Sequence, residues 1–306
     1  MYNKETFAEE QFRKTGPFWH LHTPPLENEV FQSNEEDRTV TLNYLAISVM
    51  ESNCKLLAFS LMSNHFHFIL SGSEEHVEVF WDSFRKRLDI YFSRHGRPGL
   101  MRKVRATLTP IENLNQLRTE IAYVIRNRFV VQTNVHVFAD PCSSGYLYFN
   151  PFLQKEGVPA STLKGRELRK FTHSHRMEPV DFRIYVKDGC AQMWSFVDYK
   201  LAESFYDHAR QFIHSVLKNV EAHVETAKRL GERPFLGDDE LWPLVFRYCR
   251  ENYQVSRPSS LDLQQRKQLA VWIKREYAAS NKQIARLSGL SMAEANALFP
   301  LSTQQD

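Results

Sequence analysis

Between Leu56 and Gly72 the chain reads LLAFSLMSNHFHFILSG, an almost wholly apolar run that carries two imidazoles, His65 and His67, on either side of Phe66. In an extended strand side chains alternate faces, so both histidines leave one face while Phe66 and Phe68 enter the other. Two imidazoles on a buried strand suit half of a metal site, because neutral imidazole is a common metal ligand. An unpaired polar group in such a setting costs on the order of 1–3 kcal/mol, so each ring needs a partner. The spacing is not unique: among 12 histidines it recurs at His20-Leu21-His22 and His173-Ser174-His175. The apolar context, the turn-like Ser63-Asn64 and the absence of Lys or Arg distinguish the central pair, and structural roles are expected for His20 and His22.

A second kind of chemistry lies downstream. Arg85, Lys86, Arg87, Arg94, Arg97, Arg102, Lys103 and Arg105 face a single acid, Asp89, between positions 85 and 105, whereas the whole chain is only +3. Interleaved with Trp81, Phe84, Tyr91 and Phe92, this cluster suits phosphates and unpaired bases, although helical spacing assigns some of these aromatics to a core. Arg126 joins these cations as a candidate DNA contact. Tyr123, in EIAYVIRNRFV, shares a predicted helical face with Asn127 four residues later. A tyrosine hydroxyl can attack phosphorus and store the energy of a broken phosphodiester in a phosphotyrosine, but most helical tyrosines are structural. Tyr123 gains interest from its company: paired imidazoles, an amide one turn away and a basic face.

The pattern of apolar residues predicts the elements that must position these groups. Phe18 to His22 reads as a strand, and a helix follows from Glu35-Glu36-Asp37 through Val40, Leu42, Leu45, Ala46, Val49 and Met50. Lys55 to Met62 and His65 to Ser71 read as a hairpin, Val77 to Ser93 as a helix stopped at Gly96, Val104 to Leu108 as an edge strand, and Ile111 to Val130 as a helix. Strand, helix, two strands, helix, strand, helix predicts an α+β, ferredoxin-like antiparallel sheet with helices packed on one side. The expected divisions are a domain at 1–150, a linker at 151–179 and an all-helical domain at 180–306. The last begins with helices at Ala202 to Leu217, Val220 to Leu230, Asp238 to Glu251 and Leu261 to Tyr277. At 281–300 a helix, a Ser288-Gly289-Leu290 turn and a second helix opened by Ser291 and Glu294 match either a helix-turn-helix DNA reader or an ordinary helical hairpin.

Composition narrows the classes. At 306 residues two domains with their own cores are expected. Cys54, Cys142, Cys190 and Cys249 lie far apart without a Cys-x-x-Cys pair, so disulfides are not expected. No apolar signal segment opens the sequence and no run approaches a bilayer's thickness, which predicts a cytoplasmic protein without membrane contact.

These motifs in this order resemble the single-tyrosine HUH endonucleases, and within them the REP-associated tyrosine transposases, relatives of small insertion-sequence transposases. The resemblance covers about residues 16 to 149 and rests on FWHLHT, VFQSNEEDR, MSNHFHFIL, RHGRPG and YVIRNR. Ser63 and Arg128 stand where the family pattern has prolines, which affects the subgroup and the holding of target DNA. The resemblance implies metal-dependent cleavage and rejoining of single-stranded or hairpin DNA. Tyr123 would be the nucleophile, His65, His67 and Asn127 the ligands of Mg²⁺ or Mn²⁺, and a homodimer one form. Imidazole is an unusual partner for Mg²⁺, which favours Mn²⁺. Two other readings stay open: a DNA-binding regulator that kept the fold without the reaction, and a metal-dependent RNA-processing protein.

Overall fold

The computed structural model describes residues 4–26, 29–127, 138–173, 181 and 183–300 in full and the backbone of 128–131. Two compact units divide the chain, Met1–Lys218 and Asn219–Asp306.

The first unit is α+β. After α1 (Lys4–Thr15) come β1 (Phe18–His22), α2 (Glu35–Ser52), β2 (Lys55–Leu61), β3 (Phe66–Ser71), α3 (Glu74–Arg94), β4 (Thr107–Ile111) and α4 (Leu114–Val131). Local chemistry fixes the helix ends. Asn34 accepts the Asp37 N–H at the start of α2, beside three acidic residues that suit the positive end of the helix dipole, and Asn53 ends it in the left-handed region. Ser73 likewise caps α3 by accepting from His76. The strands form one antiparallel sheet in the order β2-β3-β1-β4, the order of a ferredoxin-like fold. β4 begins three residues after the expected Val104, because Leu100–Lys103 makes a tight 3-10 turn after Gly99 and buries Leu100 and Met101.

The two faces of the sheet differ. Phe66 and Phe68 point towards α3, packing edge-on against Phe80 and Phe84, and Phe31 stacks on Phe66. The opposite face carries His20, His22, His67 and Ile69 and is covered by α4. Helices therefore pack on both sides of the sheet, where one side was expected: α4 buries Leu114, Leu117, Ile121, Val124 and Ile125 and has its own sheet face to cover. The far edge of β2 is closed by residues 142–144 and 197–198. Leu61 donates to the Cys142 carbonyl, Phe59 to Ser144 Oγ, and Asp198 to the Leu56 carbonyl.

Residues 151–179 were expected to be a linker and the second domain to start at 180, yet the first unit runs to Lys218. Within it lie β5 (Val158–Pro159), α5 (Gly165–Thr172), β6 (Tyr185–Lys187), β7 (Cys190–Ala191), α6 (Met193–Phe196), α7 (Tyr199–Ser204) and α8 (Ala209–Leu217). Val180, like His175, lies outside the described residues. The reason for the difference is a buried asparagine on α2. Asn43 donates to the Phe171 and Gly189 carbonyls and accepts the Ala191 N–H, tying a polar segment without apolar periodicity to the core. The expected helix 202–217 is two helices, because His208 accepts the Gln211 N–H and starts α8 anew.

The second unit is all-helical: α9 (Val220–Arg229), α10 (Asp238–Tyr253), α11 (Leu263–Glu276), α12 (Asn281–Ser288) and α13 (Met292–Leu298). Leu241, Val245, Cys249, Leu269, Ile273, Ile284 and Leu287 share its core. Gly289 sits at φ 74°, and Ser291 and Glu294 form the capping box read from the sequence. α13 contains no Lys or Arg and exposes Met292, Ala293, Asn296 and Ala297, a surface without charge for phosphates. Among the described residues, no helix is long and apolar enough to cross a membrane.

Replacing Asn43 by Leu leaves two carbonyls and one N–H buried without their partner. A loss of about 3 kcal/mol is expected in urea unfolding, with faster proteolysis within residues 151–191.

Candidate active site

β1 and β3 are neighbours whose register pairs His22 with His67 and His20 with Ile69. Alternation along each strand then puts His20, His22 and His67 on one face, with His65 one position before β3. Ring centroids lie 5.0 Å apart for His65 and His67, 5.3 Å for His20 and His67, and 6.1 Å for His22 and His67. Both His-x-His pairs thus enter one cluster. The reason is strand order: β1 is next to β3 although 43 residues separate Thr23 from Phe66, which are joined through a Thr23 hydroxyl that accepts the Phe66 N–H.

α4 contributes the remaining groups from one face. Glu120, Tyr123 and Asn127 follow one another at helical spacings of three and four. Glu120 Oε2 lies 2.5 Å from His20 Nδ1, His20 Nε2 lies 3.1 Å from His67 Nδ1, and Asn127 Nδ2 lies 3.2 Å from His67 Nε2. The Tyr123 ring is 5.8 Å from His67 and 6.2 Å from His20. Sequence reasoning missed Glu120, though the signal was present: a lone carboxylate among Leu117, Ile121 and Val124, three residues before the candidate tyrosine.

The hydrogen bonds dictate where protons sit. Asn64 donates its amide to the Leu26 carbonyl, so its oxygen faces His65 Nδ1 at 2.9 Å and His65 carries its proton there. His65 therefore has its lone pair at Nε2, while His67 has Nδ1 against His20 Nε2 and Nε2 against the Asn127 amide, so that both rings are oriented by neighbouring groups as metal-ligating histidines are. Rotating the Asn127 amide exchanges its nitrogen for oxygen beside His67 Nε2. Among the described residues no group of three His, Cys, Asp or Glu is set to hold a metal ion; the residues expected to hold one, His65, His67 and Asn127, offer two imidazole nitrogens and one amide oxygen. In donor chemistry this set fits Mn²⁺ better than Mg²⁺.

Burial depresses both imidazoles. Desolvation first, and the His22 ring second, bring His65 to about 4, and desolvation with the neighbouring histidines holds His67 well below its ordinary value. Both rings are therefore neutral at pH 7, as ligation requires. The cluster is closed: Tyr123 is 2% exposed, and the other members range from 0 to 4%.

The basic residues distribute differently from the sequence expectation. Those on α3 stand behind the opposite sheet face, because α3 turns its phenylalanines onto Phe66 and Phe68. Arg85 pairs with Asp82, Arg87 with Glu51, Arg97 with the buried Asp37, Arg102 with Asp89 and Lys103 with Glu29. Burial alone would raise the Asp37 carboxyl, but hydrogen bonds from Ser33, Arg97 and Tyr91 bring it below the usual range. Arg94 donates to the His173 carbonyl, and Lys86 is exposed. Arg126 is buried and donates to the Val216 and Leu217 carbonyls, capping α8, which removes it from the exposed cations expected to meet DNA. Arg105 is exposed two residues before Thr107, the partner of His22 in the sheet, and is the cation of the cluster nearest in sequence to the histidine strands' edge.

No family model matches the chain, and no curated protein matches its sequence. A solved structure of a REP-associated tyrosine transposase bound to a REP hairpin is similar at a TM-score of 0.34 and 14% identity, over 46% of this chain and 83% of that one. A likeness of that size says nothing of this chain's activity, which must be argued from its residues.

The depressed His65 and His67 make stability pH-dependent. Between about 6.5 and 4 the unfolded chain binds protons that the folded chain refuses, so stability falls as pH falls through that window, by on the order of 3 kcal/mol for His65 alone. Thermal melting from pH 8 to 4.5 is expected to show that loss, with a shallower slope in His65→Asn.

Proposed function

We propose that this chain is a metal-dependent single-stranded DNA nuclease and strand transferase that acts through a covalent link between Tyr123 and DNA. The observation that carries the reading is the convergence on one sheet face of a helical tyrosine, an amide one turn later and paired neutral imidazoles. His65, His67 and the Asn127 oxygen would hold Mn²⁺ or Mg²⁺, which when bound polarises the scissile phosphate and offsets its charge.

The chain's own groups do the rest. The Tyr123 hydroxyl attacks phosphorus: the Oη–P bond forms and the P–O3′ bond breaks. Tyrosine loses its proton, and the departing 3′ oxygen takes one up. The products are a 5′-phosphotyrosine and a free 3′-hydroxyl, and attack by another strand's 3′-hydroxyl reverses the step and rejoins DNA. Burial of the histidines keeps them neutral, as ligands must be. Since Tyr123 is 2% exposed, strand entry requires the closed site to open. That same burial favours a second reading, a DNA-binding regulator that retains the fold and does not cut.

The full chain with labelled single-stranded hairpin DNA and Mn²⁺ or Mg²⁺ separates the two. A denaturant-resistant adduct is expected, reduced at least 10³-fold in Tyr123→Phe and strongly in His67→Ala. Tight DNA binding with no adduct under either metal would overturn the nuclease and support the regulator. Preference for a matched RNA hairpin would turn the reading to RNA processing.

A further inference from the structure

We infer that Glu120 and His20 are positioning residues for His67, a role that rests on the nuclease reading only for its use in the reaction. The case is one of proton direction. We assign Glu120 as the ionised partner of the pair: such a carboxylate accepts and never donates, so its Oε2 at 2.5 Å takes the proton of His20 Nδ1. An imidazole with one proton then has a lone pair at Nε2, and the atom 3.1 Å away is His67 Nδ1, which must donate to it. This leaves the His67 lone pair at Nε2, on the side of Asn127 and Tyr123. Glu120 and His20 are both fully buried, so water does not compete for these bonds. Gln116 donates to the other Glu120 oxygen at 3.4 Å and steadies the carboxylate. The arrangement is a carboxylate that sets the tautomer of a candidate ligating imidazole through a second imidazole.

The test begins with the metal-free full chain labelled with ¹⁵N-histidine. Long-range ¹H–¹⁵N correlation at pH 7.5 is expected to show His67 protonated at Nδ1 and bare at Nε2. Glu120→Leu and His20→Phe should each let the opposite tautomer appear and weaken Mn²⁺ binding, measured by calorimetry with the metal alone, by about 10–100-fold. Glu120→Gln keeps an acceptor oxygen and should retain most of the wild-type tautomer, a rescue that loss of packing alone would not produce. His67 protonated at Nε2 in the wild-type chain would overturn the inference, as would an unchanged tautomer and Mn²⁺ affinity in Glu120→Leu. The wild-type spectrum decides even if a variant fails to fold. A wild-type chain with the expected tautomer and no DNA adduct would sink the nuclease while leaving the positioning role, and the reverse pair of results would do the opposite.

Discussion

The pairing of β1 with β3 is the constraint on which the site depends. Side-chain direction in a strand has a period of two, so the register that sets His22 opposite His67 also sends His20 to the same face and Leu21 and Phe68 to the other. A slip of one residue would put His20 and His22 among the phenylalanines under α3 and would bury imidazoles without partners. The apolar face therefore enforces the polar one: Phe31, Phe66, Phe68, Phe80 and Phe84 form a continuous set of ring contacts that one register satisfies.

A buried polar cluster must be matched from the side that covers it, and this task falls to α4. Its inner face offers Glu120, Tyr123 and Asn127 to the histidines, while its outer face is held by two arginines. Arg118 donates to the Phe205 carbonyl and forms an ion pair with Glu5 from α1, and Arg126 caps the end of α8. Tyr206 adds a hydrogen bond to the Arg118 carbonyl. The helix that carries the candidate nucleophile is thus clamped between the sheet and elements drawn from the chain's first 15 residues and from 199–217. Positions of charge that look like surface cations in the sequence serve this clamp.

Much of the first unit was legible because its elements announce themselves locally. The strand FWHLH and the acidic opening of α2 fall where alternation and capping place them, and the hairpin strands β2 and β3 and the helix α3 are displaced by at most three residues. Tyr123 and Asn127 were legible because a helix of period 3.6 puts i and i+4 together without reference to anything else. The segment after Tyr148 was not legible. Its attachment rests on the Asn43 amide, on backbone bonds along the edge of β2 and on the bonds that Arg118 and Arg126 make to the carbonyls of Phe205 and Val216, none of which leaves a periodic mark. The basic cluster was legible as charge but not as a surface, since Arg87, Arg97 and Lys103 meet carboxylates from distant parts of the chain, Glu51, Asp37 and Glu29.

The sequence by itself determined the α+β character, the elements, their caps, the pairing of His65 with His67 and the pairing of Tyr123 with Asn127, because propensity, alternation and helical spacing are properties of neighbours in the chain. Only the tertiary structure decided that His20, His22 and Glu120 join them, that α4 covers the opposite face from α3, and that Arg126 turns inward. Those outcomes depend on strand order and on which buried polar atom finds which partner, and both are settled by contacts between residues up to 100 positions apart, as His20 and Glu120 are.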